Sequence, residues 1–162
     1  MLTVTPITES DLPAVVELLE EMDRFYGVTE FEPAEARKAQ IRSLLFRGPP
    51  AAHVLLARDD DRVMGLAAYS FLWPAVGLTQ SLFLKELYVA QACRRQGVGR
   101  LLMQRLVDLA AETGCSRVEW MTDQGNVDAW TFYAQIGYKP NTEKVFYRLQ
   151  EGGLESRQTT EQ

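Results

Sequence analysis

The chain has 162 residues, 46% hydrophobic and 24% charged, a composition typical of one globular domain and incompatible with wholesale disorder. Its 17 Lys and Arg residues against 22 Asp and Glu residues give a net charge of -5, which argues against general nucleic-acid binding. Its two cysteines are too few for a disulfide framework, and no apolar run approaches the ~20 residues that span a bilayer. We therefore expect a cytoplasmic protein that binds neither nucleic acid nor membrane.

Hydrophobic periodicity and turn residues predict strands and helices in a mixed order along residues 1–149. The first half contains, in order, a strand over Leu2–Ile7, a helix from Leu12 to about Gly27, a helix over Pro33–Phe46, and strands over His53–Arg58 and Val63–Trp73. The second half contains a strand over Ser81–Val89, a helix from Val98 to about Gly114, a strand over Arg117–Thr122, a helix over Val127–Ile136 and a strand over Val145–Leu149.

This order predicts a single α/β domain over residues 1–149 with a mixed sheet. The strands on either side of the acidic turn at residues 59–61 are expected to form an antiparallel hairpin. The strand–helix–strand run over residues 81–122 is expected to be a right-handed parallel crossover. Residues 150–162 are polar and are expected to form a disordered tail.

The stretch Arg94-Arg95-Gln96-Gly97-Val98-Gly99-Arg100 lies between a predicted strand and a predicted helix. Its glycines let the backbone approach a ligand closely, and the free amides of a helix start attract an anion. Its arginines add forked donors that suit phosphate. The stretch lacks the Gly-Lys-Ser/Thr ending of a nucleotide P-loop and one glycine of the dinucleotide fingerprint. We therefore predict a phosphate-binding turn of another kind.

Two segments resemble motifs of the GNAT acyltransferase superfamily. Arg94-x-x-Gly97-x-Gly99, after a strand that ends at Val89, resembles the acetyl-CoA-binding signature of that family. The segment from Asn126 to Tyr138 resembles a second motif of the family. The residues that match it are Asn126, Ala129, Phe132, Tyr133, Gly137 and Tyr138. The run from Leu84 to Val89 resembles the branch of the diamine and polyamine (spermidine/spermine) N-acetyltransferases.

The resemblance implies the GNAT fold, a mixed and mostly antiparallel sheet with a splayed central strand pair flanked by helices. It also implies acetyl-CoA as co-substrate, no metal, and a homodimer. The pantetheine arm would pair with backbone groups of the strand that ends at Val89, and the pyrophosphate would lie on the amides of the turn. The coenzyme-binding residues implied in this way are Leu87, Tyr88, Val89, Arg94, Arg95, Gln96, Gly97, Val98, Gly99, Arg100, Asn126 and Phe132.

Transfer of an acetyl group to an amine requires a base for the amine proton and an acid for the departing thiolate. Tyr133 matches the tyrosine that the family uses as the acid. Glu86 is the candidate base because it lies on the strand that would pair with the pantetheine arm of the coenzyme. At the position of Lys85 the polyamine branch often has an acidic residue, so this chain differs from the branch there. A lysine at this position would disfavour a cationic amine, or it would bind an anionic group of the substrate.

An acidic stretch flanked by aromatic residues is expected to bind the amine substrate, together with a tryptophan of a later loop. The candidate substrate-binding residues are Asp23, Tyr26, Glu30 and Trp73. Three functions remain open at this point. They are acetylation of a small-molecule primary amine in a ternary complex, acetylation of a peptide or protein amine, and non-catalytic binding of acyl-CoA.

Overall fold

A computed structural model of the protein describes residues 1–152. In chain order its elements are β1 (Leu2–Pro6), α1 (Leu12–Phe25), α2 (Ala34–Leu45), β2 (His53–Asp59), β3 (Arg62–Leu72), β4 (Ser81–Val89), α3 (Val98–Glu112), β5 (Arg117–Trp120) and α4 (Val127–Gln135). The predicted order is confirmed from β1 to α4, with ends that differ by a few residues. No helix within residues 1–152 has the length and apolar character that crossing a bilayer requires.

The predicted strand at Val145–Leu149 is wrong, because residues 145–149 contain no strand. Alternating apolar residues indicate a strand, but a strand forms only where its backbone groups find a partner. The side chains of Val145 and Tyr147 are 77% and 88% exposed, so this segment lacks the burial that its pattern predicted. Residues 153–162 of the predicted tail lie outside the described residues.

The chain divides into two compact units, Met1–Asp123 and a second that begins at Gln124 and whose described part contains α4. In the first unit, five strands form one sheet in the order β1-β2-β3-β4-β5. Neighbours from β1 to β4 are antiparallel, whereas β4 and β5 are parallel. The predicted hairpin of β2 and β3 and the predicted parallel crossover from β4 through α3 to β5 are confirmed.

Helices cover both faces of this sheet because its strands are apolar on both sides. On one face, Val15 and Leu18 of α1 pack against Leu56 of β2 and Tyr88 of β4. Leu55, next to Leu56, is also buried, and adjacent strand residues point to opposite faces. Helix α3 packs against β2, β3 and β4 and buries one side of its length, with Val98, Leu102, Met103, Leu106 and Ala110. Burial of each large aliphatic side chain contributes about 1.5–3 kcal/mol.

A bulge in β4 lies next to the point where the pairing with β5 ends. Leu84 pairs with Tyr69 of β3 and Glu86 pairs with Ala68, so Lys85 is an extra residue without a β3 partner. The parallel pairing with β5 runs from Ser81 to Leu84 and stops there. The pairing ends with β5 itself, at Trp120, so the part of β4 beyond the bulge pairs with β3 alone. This opening beside the end of β4 agrees with the splayed strand pair that the family resemblance implies.

Candidate active site

Within the first unit, the second half of β4 pairs with β3 but not with β5. The N–H of Ala90 donates to the carbonyl of Met64 at 2.9 Å, which fixes the direction of the backbone groups there. Because the backbone N–H and C=O groups of successive residues point to opposite sides of a strand, those of Leu87 and Val89 point away from β3, to the side where β5 pairs with the first half of β4. Tyr88 directs its own groups toward β3, so it differs from the expectation that all three residues offer free backbone groups.

The turn after β4 exposes donors that suit an anion. Arg95 and Gly97 have φ angles of 65° and 82°, in the left-handed region. The first hydrogen bond of α3 runs from the N–H of Leu101 to the carbonyl of Gly97 at 3.0 Å. The amides of the residues before Leu101 therefore lack helical acceptors. No acidic residue lies in the first turn of α3, so the positive end of the helix dipole is not offset there.

Arg94 differs from the other arginines of the turn because its side chain folds back onto the protein. Its Nε donates to the carbonyl of Val89 at 3.3 Å. Its guanidinium lies 5.3 Å from the ring centre of Phe25 and 5.6 Å from that of Tyr88. All three arginines are exposed. The contacts of Arg94 anchor the turn to α1 and β4, so Arg95 and Arg100 are the candidates for the countercharge of a phosphate.

Glu86 lies between β4 and the end of α1, where the Tyr26 hydroxyl donates to its Oε1 at 3.4 Å. Burial raises the pKa of the Glu86 carboxyl above its ordinary value, and the negative charges of Asp123 and Asp23 act in the same direction. The hydrogen bond from Tyr26 and the charge of Lys85 lower the pKa, but burial is the larger influence. A carboxylate with a raised pKa is a stronger base, which suits proton removal from an amine.

The structure brings only part of the expected substrate-binding set to Glu86. Tyr26 contacts it directly, and the charge of Asp23 affects its pKa, although Asp23 also accepts a hydrogen bond from Arg37 at 3.2 Å. Glu30 is exposed in the loop between α1 and α2. Trp73 follows β3 at the other end of β4, about 16 Å along the strand from Glu86. The indole N–H of Trp73 donates to the carbonyl of Leu78 at 3.0 Å.

The second unit contains three of the predicted site residues. Asn126 precedes α4, and its Oδ1 accepts a hydrogen bond from the N–H of Ala129 at 3.1 Å, as a helix N-cap does. Phe132 and Tyr133 lie on α4, with ring centres 5.1 Å apart. Their predicted roles toward the coenzyme and the leaving group stay predictions.

Sequence reasoning missed two carboxylates of the first unit. The charge of Asp123, three residues beyond the end of β5, raises the pKa values of both Glu86 and Tyr26. Glu21 of α1 accepts hydrogen bonds at the start of the segment that leads to the phosphate turn. The sequence contains only a weak indication of Asp123: it follows a predicted strand that is expected to be parallel to the strand of Glu86, so the ends of the two strands are expected to lie at the same edge of the sheet. Within residues 1–152, no group of three or more His, Cys, Asp or Glu side chains is arranged to hold a metal ion.

The chain is similar in sequence to several N-acetyltransferases. It is 29% identical to L-ornithine N5-acetyltransferase NATA1 of Arabidopsis thaliana, over 60% of this chain and 43% of that protein. It is 33% identical to D-amino-acid N-acetyltransferase HPA3 of Saccharomyces cerevisiae, over 57% of this chain and 58% of that protein. The matches thus span about half of the length of these two relatives. Aminoglycoside N(6')-acetyltransferase type 1 of Serratia marcescens is 29% identical, over 70% of this chain and 80% of that protein.

Solved structures show the same fold. An integron cassette protein from the mobile metagenome of V. cholerae has a TM-score of 0.90 and 25% identity, with 98% of each chain covered. An aminoglycoside N-acetyltransferase in complex with CoA has a TM-score of 0.72 and 18% identity, over 93% of this chain and 95% of that chain. The sequence model described as the acetyltransferase (GNAT) family matches residues 14–138. Because that match covers well over half of its length, the chain belongs to the GNAT acetyltransferase family.

Proposed function

We propose that the protein transfers the acetyl group of acetyl-CoA to a primary amine of a small molecule, by direct attack in a ternary complex. The GNAT family uses acetyl-CoA as its co-substrate, and a protein of the same fold has been solved with CoA. The observation that carries the proposal is the unpaired side of β4 beyond the bulge at Lys85, which leads directly into the phosphate turn. A pantetheine arm that pairs with Leu87 and Val89 like an added strand would bring its diphosphate to that turn.

The names of the sequence relatives support an amine acceptor. The three relatives compared above are named as N-acetyltransferases of ornithine, of D-amino acids and of aminoglycosides. The surroundings of Glu86 agree with this class, because Asp23 and Asp123 add negative charge beside it. A cationic amine is attracted to such a region. Lys85 is a cation on the same strand, which favours amines that also carry an anionic group over polyamines.

Glu86 and the backbone of β4 would act on the two reacting groups. An amine with a pKa of about 10.4 arrives protonated, and Glu86 accepts that proton directly or through water. The amine nitrogen then attacks the thioester carbonyl carbon, so that a C–N bond forms and the C–S bond breaks. The N–H of Val89 would donate to the carbonyl oxygen, where negative charge develops. An acid donates a proton to the departing thiolate, and the nitrogen loses its extra proton, which restores that acid. CoA as the thiol and the acetylated amine are then released.

Tyr133 is the acid that we assign to the departing thiolate, with Asn126 and Phe132 as contacts of the pantetheine arm, on the strength of the family motif. We expect Tyr133→Phe to lower kcat at least tenfold and to leave the KM for acetyl-CoA within about twofold, because the hydroxyl acts only as the thiolate departs. Tyr69→Phe, which removes a tyrosine hydroxyl on β3 outside the proposed site, is the matched control and should behave as the wild type. Equal turnover in Tyr133→Phe and the wild type would remove Tyr133 from this role.

The direct test is release of the CoA thiol from acetyl-CoA in the presence of a panel of acceptors. The panel contains diamines, amino acids, aminoglycosides, and peptides with a free N-terminus or an internal lysine. Thiol release with small amines alone supports the proposal, and release with peptides alone would replace it by peptide acetylation. Calorimetric binding of CoA with no turnover on any acceptor would identify a non-catalytic acyl-CoA-binding protein.

A further inference from the structure

Glu21 of α1 connects three elements that meet behind the phosphate turn. Its Oε1 accepts a hydrogen bond from the Tyr88 hydroxyl at 2.9 Å and a second from the N–H of Gln91 at 2.6 Å. Tyr88 belongs to β4, and Gln91 opens the short 3-10 segment Gln91–Cys93 between β4 and the turn. We propose that Glu21 is a positioning residue, which holds the turn in the geometry that binds the diphosphate of the coenzyme. This inference rests on the proposed function.

The bond to Gln91 matters because of where that amide lies. The first amides of a helical segment have no acceptor within the segment, so the Glu21 carboxylate acts as a cap for it. Cys93, at the other end of the segment, is fully buried, and so is Val98 at the start of α3. The exposed residues between them, which include Arg95 and Gly97 in left-handed conformations, are thus fixed on both sides.

The bond to Tyr88 extends the same support to Arg94. The Tyr88 ring is buried against α1, and its hydroxyl also accepts a hydrogen bond from Nη2 of Arg94 at 3.4 Å. Arg94 in turn lies over the rings of Phe25 and Tyr88 and donates to the carbonyl of Val89. Glu21, Tyr88 and Arg94 therefore form one chain of contacts from α1 to the first residue of the turn.

The charge of Glu21 makes the proposal testable. A carboxylate near a diphosphate repels it, so the negative charge of Glu21 cannot itself favour coenzyme binding. If Glu21 acts by position, its oxygen acceptor is needed and its charge is not. Glu21→Gln keeps an Oε1 acceptor for both donors, whereas Glu21→Ala leaves the Tyr88 hydroxyl and the Gln91 N–H without it.

The experiment measures the calorimetric affinities of these variants for CoA and for pantetheine, which lacks the diphosphate. For Glu21→Ala we expect CoA affinity to fall about tenfold, as for a hydrogen-bond donor left unsatisfied, while pantetheine affinity stays unchanged. We expect its kcat at saturating acetyl-CoA to stay within about twofold of the wild type. Glu21→Gln should bind CoA at least as tightly as the wild type. Glu17→Ala, at an exposed position one turn earlier on α1, is the matched control and should change neither affinity.

Each other outcome overturns the proposal in a distinguishable way. Unchanged CoA affinity in Glu21→Ala would contradict it and leave the proposed function intact. Equal loss of CoA and pantetheine affinity, or a loss in Glu21→Gln as large as in Glu21→Ala, would also contradict it. Absence of CoA binding in the wild type would overturn the proposed function as well. If Glu21→Ala does not fold, Glu21→Asp carries the same expectation, because its shorter side chain cannot reach both donors.

Discussion

The pKa of Glu86 is subject to opposing influences from the adjacent Lys85 and from residues that are distant in the sequence. Burial and the charges of Asp23 and Asp123 raise its pKa, while the Tyr26 hydroxyl and Lys85 lower it. Burial is the largest of these influences, so the carboxyl holds its proton to a higher pH than an exposed glutamate does. The base assigned to the reaction is therefore tuned by neighbours on α1, on β4 and after β5.

The pH profile of kcat/KM should report this tuning. The value of kcat/KM should rise with pH as Glu86 loses its proton. The midpoint of this rise should lie above about 4.3, the ordinary pKa of a glutamate. Tyr26→Phe removes a hydrogen bond that lowers the pKa of Glu86, so that limb should move to higher pH. Asp123→Asn removes a charge that raises the pKa, so the limb should move to lower pH.

Two further variants complete the pH experiment. Glu86→Gln should lose this limb and about 10²-fold in kcat. Glu119→Gln, at an exposed position on β5, should leave the profile unchanged. Protonation of the substrate amine contributes its own limb, which none of these variants moves. A profile identical in the wild type and Glu86→Gln would contradict the assignment of the base.

Asp11 has the opposite shift. The Arg58 guanidinium donates to its Oδ2 at 2.6 Å, and this bond lowers the pKa of the largely buried carboxyl to about 2, with help from the N–H of Thr8 at 2.8 Å. Because the pKa of this carboxyl in the unfolded chain is about 3.9, the stability that Asp11 contributes is present above that pH and is lost as the pH falls toward 2.

We therefore expect Asp11→Asn to lower the free energy of unfolding by about 2 kcal/mol at pH 7, since charged hydrogen bonds are lost. The difference from the wild type should shrink between about pH 4 and pH 2. Urea denaturation at several pH values measures both effects. Glu32→Gln, exposed in the loop before α2, is the control and should cost almost nothing. A difference that stays constant down to pH 2 would contradict the assigned role.

At the scale of elements, the proposed function assigns the pantetheine arm of the coenzyme to β4 and the diphosphate to the turn after it. β5 ends opposite Leu84, next to the bulge at Lys85, and Leu87 and Val89 direct backbone groups to the side of β4 that β5 does not cover. The turn then presents amides at the start of α3 through left-handed conformations at Arg95 and Gly97. Both features are properties of the backbone, so they tolerate side-chain changes better than changes of conformation.

Two glycines at opposite ends of α3 allow a matched test of the turn. Gly97 and Gly114 have φ angles of 82° and 71°, and a Cβ on either would meet no atom within 4 Å. Valine at either position should therefore cost a similar strain, about 1–2 kcal/mol in the free energy of unfolding. We expect Gly97→Val to weaken CoA binding at least tenfold and Gly114→Val to leave it unchanged, as measured by calorimetric titration. Equal CoA affinities in the two variants would count against the placement of the diphosphate.

At the scale of the whole molecule, the end of the described chain suggests self-association. Apolar side chains there are exposed, and such surfaces mark interaction sites. These exposed side chains are Val145, Phe146, Tyr147 and Leu149. We propose that this segment, which has the alternation of a strand, joins two copies of the chain in a homodimer.

Light scattering coupled to size exclusion tests the homodimer. The wild type should have twice the chain mass of 18.3 kDa, and the double variant Val145→Asp with Tyr147→Asp should shift to the monomer mass, because charge replaces the apolar contact. Leu78→Asp, at an 86% exposed position in the loop between β3 and β4, is the control and should remain dimeric. A wild type of monomer mass would contradict the proposal.

The sequence by itself determined the order of the elements up to α4, the glycine-containing turn before α3 and the family. These properties are local, because periodicity reports which side of an element is buried and glycines in a turn report backbone conformation. The same locality explains the wrong strand at Val145–Leu149. The alternation of these five residues is typical of a strand, but it does not show whether another strand is available to pair with their backbone groups.

Only the tertiary structure decided which side chains meet. It placed Tyr26 against Glu86, brought Glu21 to the start of the phosphate turn, and folded Arg94 away from the position that its place in the motif suggests. It also located the bulge at Lys85, which depends on the register between β3 and β4. Strand register and contacts between distant residues depend on the packing of the whole fold, so no local pattern in the chain specifies them.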